Sequence, residues 1–214
     1  MLNAIGCTEM TAMLRGAAAQ IRDKHEMLGK LDSVGGDGDH GTTMVRAMSH
    51  LEKAVDAASG KDLKTLLYDV GWGILGVDGG ATGPLLGMFF MGMSEAAEGR
   101  ETLDASGLAA SFEAGLAGVR AQTKAQPGDK TMVDALVPAV MAAGCAVEDG
   151  GDLLSVLRDA ANAAAQGAAA TKDMQARFGR ARNIKELSIG TPDAGATSVS
   201  LIFAGFLKGV DTNA

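Results

Sequence analysis

An all-α fold, a closed up-and-down barrel or bundle of about eight antiparallel amphipathic helices, is what this sequence predicts. Three observations lead there. Apolar residues recur at helical spacing in successive segments. Aromatic residues make up only 4% of the chain and β-branched residues are sparse, whereas Ala, Leu, Met and Glu abound. Gly-, Pro- and Asp-containing stretches separate the segments, and none shows the alternation of a half-buried strand. At 214 residues and 47% hydrophobic composition, the chain suits one domain over residues 1–214 with a full core.

The first helix is expected from Glu9 towards Met27, with Met10, Met13, Leu14, Ala17 and Ile21 as its apolar stripe and Thr8 as its N-cap. A second, opening at Thr42, carries Val45, Met48, Leu51 and Val55 and stops at Ser59-Gly60. Leu63, Leu66, Leu67, Val70 and Ile74 place a third over Lys61 to Leu75. The fourth, Pro84 to Ala97, is apolar on most sides and should be central. The fifth runs from Ala105 to Lys124, and the sixth carries Val133, Leu136, Val137, Val140 and Met141 with a bend expected at Pro138. The seventh, Leu153 to Thr171, is Ala-rich and suited to close helix approach. Residues 173–193 read as a long irregular segment, and a last helix spans Ala196 to Lys208. Tyr68 and Trp72 read as core or packing residues, and His25 and His50 as surface residues.

The composition excludes several functions. A formal net charge of −7 with no dominant basic patch argues against nucleic-acid or anionic-membrane partners. No apolar window reaches the ~18 residues of a membrane span. Cys7 and Cys145 match no metal or redox spacing, and the N-terminus lacks the features of a leader, so a reduced cytoplasmic protein is expected.

The chemistry concentrates in Leu31-Asp32-Ser33-Val34-Gly35-Gly36-Asp37-Gly38-Asp39-His40-Gly41-Thr42-Thr43-Met44. Asp32, Asp37 and Asp39 offer the oxygen ligands that Mg²⁺ prefers; the alternatives are a solvated acidic loop or helix caps. Gly41, Thr42 and Thr43 at a helix start suit an anion, as does Gly79-Gly80-Ala81-Thr82-Gly83, although either alone reads more readily as a simple cap or as close packing. His40 reads as a hydrogen-bond donor to phosphate rather than a carrier of a phosphoryl group, and Arg180 and Arg182 as a phosphate clamp or a solvated basic loop. Met132 reads as a core methionine or a surface for a base. In an alternating bundle, the connections after helices one, three, five and seven lie at one end. They are the loops rich in Gly, Asp, Thr and Arg, so one composite site is expected there.

Asp32-x4-Asp37-Gly38-Asp39-His40-Gly41, Gly79-Gly80-Ala81-Thr82-Gly83-Pro84-Leu85, Pro127-Gly128-Asp129-Lys130-Thr131-Met132, Gly179-Arg180-Ala181, Ser188-Ile189-Gly190 and Asp193-x-Gly195-Ala196-Thr197-Ser198 occur in this order. Together they resemble the nucleotide-binding L subunit of dihydroxyacetone kinase, the DhaL family, over almost the whole chain. The resemblance implies a closed barrel of eight antiparallel helices with the nucleotide at one end. It implies ADP or ATP held with two Mg²⁺ ions on Asp32, Asp37 and Asp39. It further implies phosphate or ribose contacts from His40, Gly41, Thr42, Thr43, Gly80, Ala81 and Thr82. Thr123, Met132, Arg180, Asp193, Ala194 and Gly195 would surround the nucleoside. No covalent nucleophile is implied; Arg180 and His40 would stabilise phosphate.

Two positions depart from the family pattern: Ala194, where some members have Pro, and Thr123, where some have Gly. The implied reaction is phosphoryl transfer to dihydroxyacetone held covalently on a histidine of a separate K subunit, with room for a homodimer. The family uses either a phosphohistidine protein of the phosphotransferase system that recharges bound ADP, or exchangeable ATP. Gly80-Ala81-Thr82-Gly83-Pro84-Leu85 leans to the first. The alternatives are an ATP-dependent component for a tetrulose and a non-catalytic docking module.

Overall fold

The computed structural model describes residues 2–211. Its helices are α1 (Cys7–Asp32), α2 (His40–Asp56), α3 (Leu63–Leu75), α4 (Thr82–Ala96), α5 (Ala105–Gln122), α6 (Val133–Glu148), α7 (Leu153–Ala170) and α8 (Ala194–Val210). Short 3-10 helices at Thr171–Asp173 and Arg180–Ser188 break up the segment expected to be irregular. The one β-type pairing among the described residues is an isolated antiparallel bridge between Ile5 and Leu103. Each helix packs on the next, and α8 packs on α1, so the ring closes. The expected closed helical bundle is the observed one.

Capping sets the boundaries that periodicity misses. Gly6, not Thr8, caps α1, and the Glu9 carboxylate accepts its N–H at 2.9 Å. Asp62, Asp104, Asp152 and Asp193 cap α3, α5, α7 and α8 through side-chain bonds to backbone N–H groups three residues on. At its other end α1 runs through Asp32, and α2 opens at His40 rather than Thr42. The loop between them is therefore seven residues, 33–39, tighter than the stretch suggested.

The barrel interior is filled, not hollow. Phe89 and Phe90 of α4, Phe112 of α5, and Phe203 and Phe206 of α8 meet in one cluster, with Phe112 and Phe203 edge-to-face at 5.2 Å. All five are essentially buried, as the nearly all-round apolar α4 required. The α1–α8 seam is close because a Cβ on Gly16 would lie 2.1 Å from the Gly205 carbonyl oxygen. The Ala-rich α7 likewise approaches α6 closely: a Cβ on Gly167 would sit 2.2 Å from the Asp134 carbonyl oxygen. Tyr68 and Trp72 are not core residues. They stack on each other on the outer face of α3, 43% and 64% exposed. His25 is exposed and His50 half-buried. No described helix is long and apolar enough to cross a membrane.

Candidate functional site

The four connections after α1, α3, α5 and α7 line one cavity of about 650 Å³. The even-numbered helices all start at this end, so the N-termini of α2, α4, α6 and α8 converge on it. The four dipoles, and the starts of α2 and α4, which carry no side-chain cap bond, favour an anion there.

The loop 33–39 folds back over the last turn of α1. The Asp32 backbone oxygen accepts from Gly36 N–H at 2.6 Å, and its carboxylate accepts from Gly38 N–H at 2.9 Å. Both glycines are required. A Cβ on Gly36 would lie 2.4 Å from the Asp32 carboxylate, and Gly38 has φ +78. The fold-back brings Asp32, Asp37 and Asp39 together, with one carboxylate oxygen from each within 4.8 Å of the others. Asp39 sits at the N-cap of α2 yet makes no capping bond, so its carboxylate stays available. The oxygen-only set fits a hard divalent cation. Desolvation pushes the Asp37 carboxyl up, but hydrogen bonds from Arg180 and its own N–H hold it below the usual value. Arg180, placed just after Gly179 at φ +65, pairs directly with Asp37.

His40, the first residue of α2, lines the cavity with its Nε2 2.8 Å from the Ser198 hydroxyl of α8. Burial lowers its pKa, against the opposing Asp32 charge, a backbone hydrogen bond with Ala194 and the Asp39 charge. Gly41 serves packing: a Cβ there would lie 1.9 Å from the His25 carbonyl oxygen of α1. Neither Gly41 nor the exposed Thr42 lines the cavity by its side; Thr43, Gly80, Ala81 and Thr82 do.

The segments leading into α6 and α8 add a further wall with Thr123, Met132, Asp193, Ala194 and Gly195. Met132 is buried and lines the cavity. Thr123 ends α5 in extended backbone (φ −137), where no glycine is needed, and its hydroxyl accepts from Ala125 N–H at 3.1 Å. Ala194 is the first residue of α8, a position that accepts Ala or Pro alike. A Cβ on Gly195 would stand 3.0 Å from the Thr82 hydroxyl, so α8 and α4 nearly touch here.

Sequence reasoning missed what holds this wall. Both Asp134 carboxylate oxygens are used: one accepts from Gly128 N–H at 2.5 Å, the other from Thr131 N–H at 2.7 Å. Thr131 in turn accepts from Val133 N–H at 3.2 Å. The signal was present as Thr131-x-x-Asp134, a capping box. This turn holds Lys130 at φ +61, with its ammonium donating to the Thr171 and Thr191 carbonyls at 2.5 Å each. One buried ammonium thus ties the loop after α5 to the end of α7 and the approach to α8. Desolvation lowers its pKa, against the pull of Asp193, Asp134 and Asp173.

Asp193 is a cap as well as a wall residue, its carboxylate accepting from Ala196 N–H at 2.7 Å. Burial pushes its pKa up to about 6, against the Ala196 bond and the Lys130 charge. The folded state therefore holds this proton after the unfolded chain, at about 3.8, has released it. The associated stability is full below pH 3.8 and lost as pH rises through about 6. Asp193→Asn keeps the acceptor and abolishes the titration. Its stability relative to wild type is expected to rise across this window by up to about 3 kcal/mol. Urea denaturation at pH 4 to 7 checks this; parallel profiles would contradict it.

Comparison with known proteins matches residues 34–208 to the DAK2 domain. The chain is 39% identical over 189 residues to the PEP-dependent dihydroxyacetone kinase 1 ADP-binding subunit DhaL of Listeria innocua, covering 88% of this chain and 89% of that one. It is 40% identical over 174 residues to the corresponding DhaL of Escherichia coli K12, covering 81% and 83%. The D-erythrulose kinase of Mycolicibacterium smegmatis is 36% identical over 86% of this chain, which spans only 32% of that protein. Among solved structures, the dihydroxyacetone kinase of C. freundii in complex with AMP-PNP and Mg²⁺ superposes with a TM-score of 0.69 at 26% identity. That match covers 92% of this chain and 33% of the C. freundii chain.

Proposed function

Since the chain belongs to the DAK2-domain family, whose members similar to it are kinases and kinase subunits, we propose that its composite cavity holds an adenine nucleotide. In this reading the chain is the donor half of a dihydroxyacetone kinase. It presents a phosphoryl group from Mg²⁺-bound ADP or ATP to dihydroxyacetone held on a separate K subunit. The observation that carries the reading is the convergence of three carboxylates and four helix N-termini on one cavity. Carboxylates alone would repel a polyphosphate, and helix N-termini alone would leave a metal without ligands. A magnesium nucleotide satisfies both.

Asp32, Asp37 and Asp39 would hold two Mg²⁺ ions, which supply charge neutralisation of the phosphate oxygens. The backbone N–H groups opening α2, the Thr43 and Thr82 hydroxyls and the Gly80-Ala81 backbone would donate to phosphate. His40, held by Ser198, would donate a hydrogen bond to phosphate. Arg180 would exchange Asp37 for the transferring phosphoryl oxygens. Thr123, Met132, Asp193, Ala194 and Gly195 would enclose the nucleoside. Positioning and electrostatics do the work in such a transfer, and no covalent nucleophile is needed.

The names of the two DhaL relatives favour a phosphoenolpyruvate-driven relay, with a phosphohistidine protein recharging bound ADP. The test is phosphoryl transfer to dihydroxyacetone with a cognate K subunit, comparing ATP with the phosphoenolpyruvate relay. Turnover with the relay and none with ATP is expected. Turnover with ATP alone would overturn the donor assignment, and no turnover with either would overturn the kinase reading. Running erythrulose beside dihydroxyacetone addresses the acceptor, which the erythrulose kinase relative makes a live second choice.

A further inference from the structure

The Gly76–Ala81 connection supplies one wall of the cavity; buried Val77 anchors its start and the Ala81 carbonyl, accepting from Leu85 N–H, its end, leaving 78–80 between them. Gly79 has φ +128, and an added Cβ at Gly80 would meet nothing within 4 Å. Among the described residues, the hydrogen bond that joins this loop to α2 comes from Arg46. Its Nη2 donates to the Asp78 carbonyl at 3.0 Å and to the Thr43 hydroxyl oxygen at 3.1 Å. Thr43 is 2% exposed and lines the cavity. The loop lies directly on it, since a Cβ on Gly79 would fall 2.6 Å from Thr43 Oγ1. Arg46 thus stands outside the cavity, behind its wall, at the edge of a shallow groove shared with His50 and Lys53.

We propose that Arg46 is a positioning residue that latches the Gly76–Ala81 loop to α2 and aims the Thr43 hydroxyl into the cavity. The proposal rests on the nucleotide reading above and deepens it. A hydroxyl has one proton. With Arg46 donating into Thr43 Oγ1, that oxygen acts there as acceptor, and its own proton is left to donate elsewhere. Thr43 lines the cavity, so a phosphate oxygen bound there would be an acceptor for that proton. The cationic donor also polarises the hydroxyl and strengthens it as a donor. The same guanidinium nitrogen fixes the Asp78 carbonyl, so loop closure and hydroxyl orientation are one event. Arg46 itself touches no reacting group.

Arg46→Met, Arg46→Lys, Thr43→Val and the Arg46→Met/Thr43→Val double variant test this by calorimetry, with Mg²⁺-ADP and with adenosine as probes. Arg46 is exposed, so its loss should leave the fold intact. Arg46→Met is expected to weaken Mg²⁺-ADP about tenfold, the worth of one charge-assisted hydrogen bond, and to leave adenosine unchanged. Arg46→Lys, which keeps a cationic donor, should recover most of the loss. The double variant should bind no more weakly than Thr43→Val. Amide exchange of residues 76–81 should quicken in Arg46→Met without any ligand. Wild-type affinity in Arg46→Met, or equal loss for adenosine and Mg²⁺-ADP, would overturn the latch alone. A wild-type chain that binds neither probe would overturn the nucleotide reading with it.

Discussion

Asp39→Ala is expected to weaken Mg²⁺-dependent ADP binding by at least about 100-fold while leaving the melting temperature nearly unchanged. The two halves of this expectation have separate causes. Asp39 supplies one of the three carboxylates that converge within 4.8 Å, and removing a charged oxygen from so small a set leaves too few ligands for a hard cation. At the same time Asp39 makes no side-chain capping bond at the start of α2, so its loss leaves the capping of that helix unchanged. Asp32 is the less informative choice. Its carboxylate accepts from Gly38 N–H, and its removal would disturb the loop as well as the ligand set. Calorimetry with Mg²⁺-ADP, beside thermal melting of the ligand-free protein, reads both halves. Retained affinity in a folded Asp39→Ala protein would remove this residue from the metal set.

Asp134→Asn is expected to cost about 3 kcal/mol of folding stability, although the two side chains have the same shape. Both carboxylate oxygens accept backbone N–H groups, from Gly128 and Thr131. An amide offers one oxygen and one NH₂, so one N–H would face another donor in a site that is 5% exposed. The damage should spread to the cavity. The turn fixes Lys130, which ties Thr171 to Thr191 behind the proposed nucleoside wall. Urea denaturation measures the first effect and nucleotide affinity the second. An unchanged denaturation midpoint would contradict the role given to this turn.

The helices were legible because burying one face of each leaves a 3.6-residue signature, as in the Met10, Met13, Leu14, Ala17 and Ile21 stripe of α1. The clustering of the four polar loops was legible too, because alternation in a closed ring sends every second connection to one end. What periodicity could not show was contact between distant segments. Asp32 reads as a loop residue and proves to be the last residue of α1, because the chain turns back onto its carboxylate only through Gly36 and Gly38. Gly41 reads as part of an anion cradle or as close packing without a named partner, and the partner proves to be the α1 backbone. The Lys130 and Arg46 tethers join positions 41, 61 and 32 residues apart and leave no local pattern. Trp72 reads as packing because large aromatics are usually buried, whereas here it faces outward beside Tyr68.

The most direct measurement is a calorimetric titration of the full chain with ADP, once in Mg²⁺ and once in EDTA. Binding in Mg²⁺ that is lost or greatly weakened in EDTA is expected if the three carboxylates and the four helix N-termini share one ligand. Absence of binding in Mg²⁺, or the same affinity in EDTA, would contradict a composite magnesium-nucleotide site.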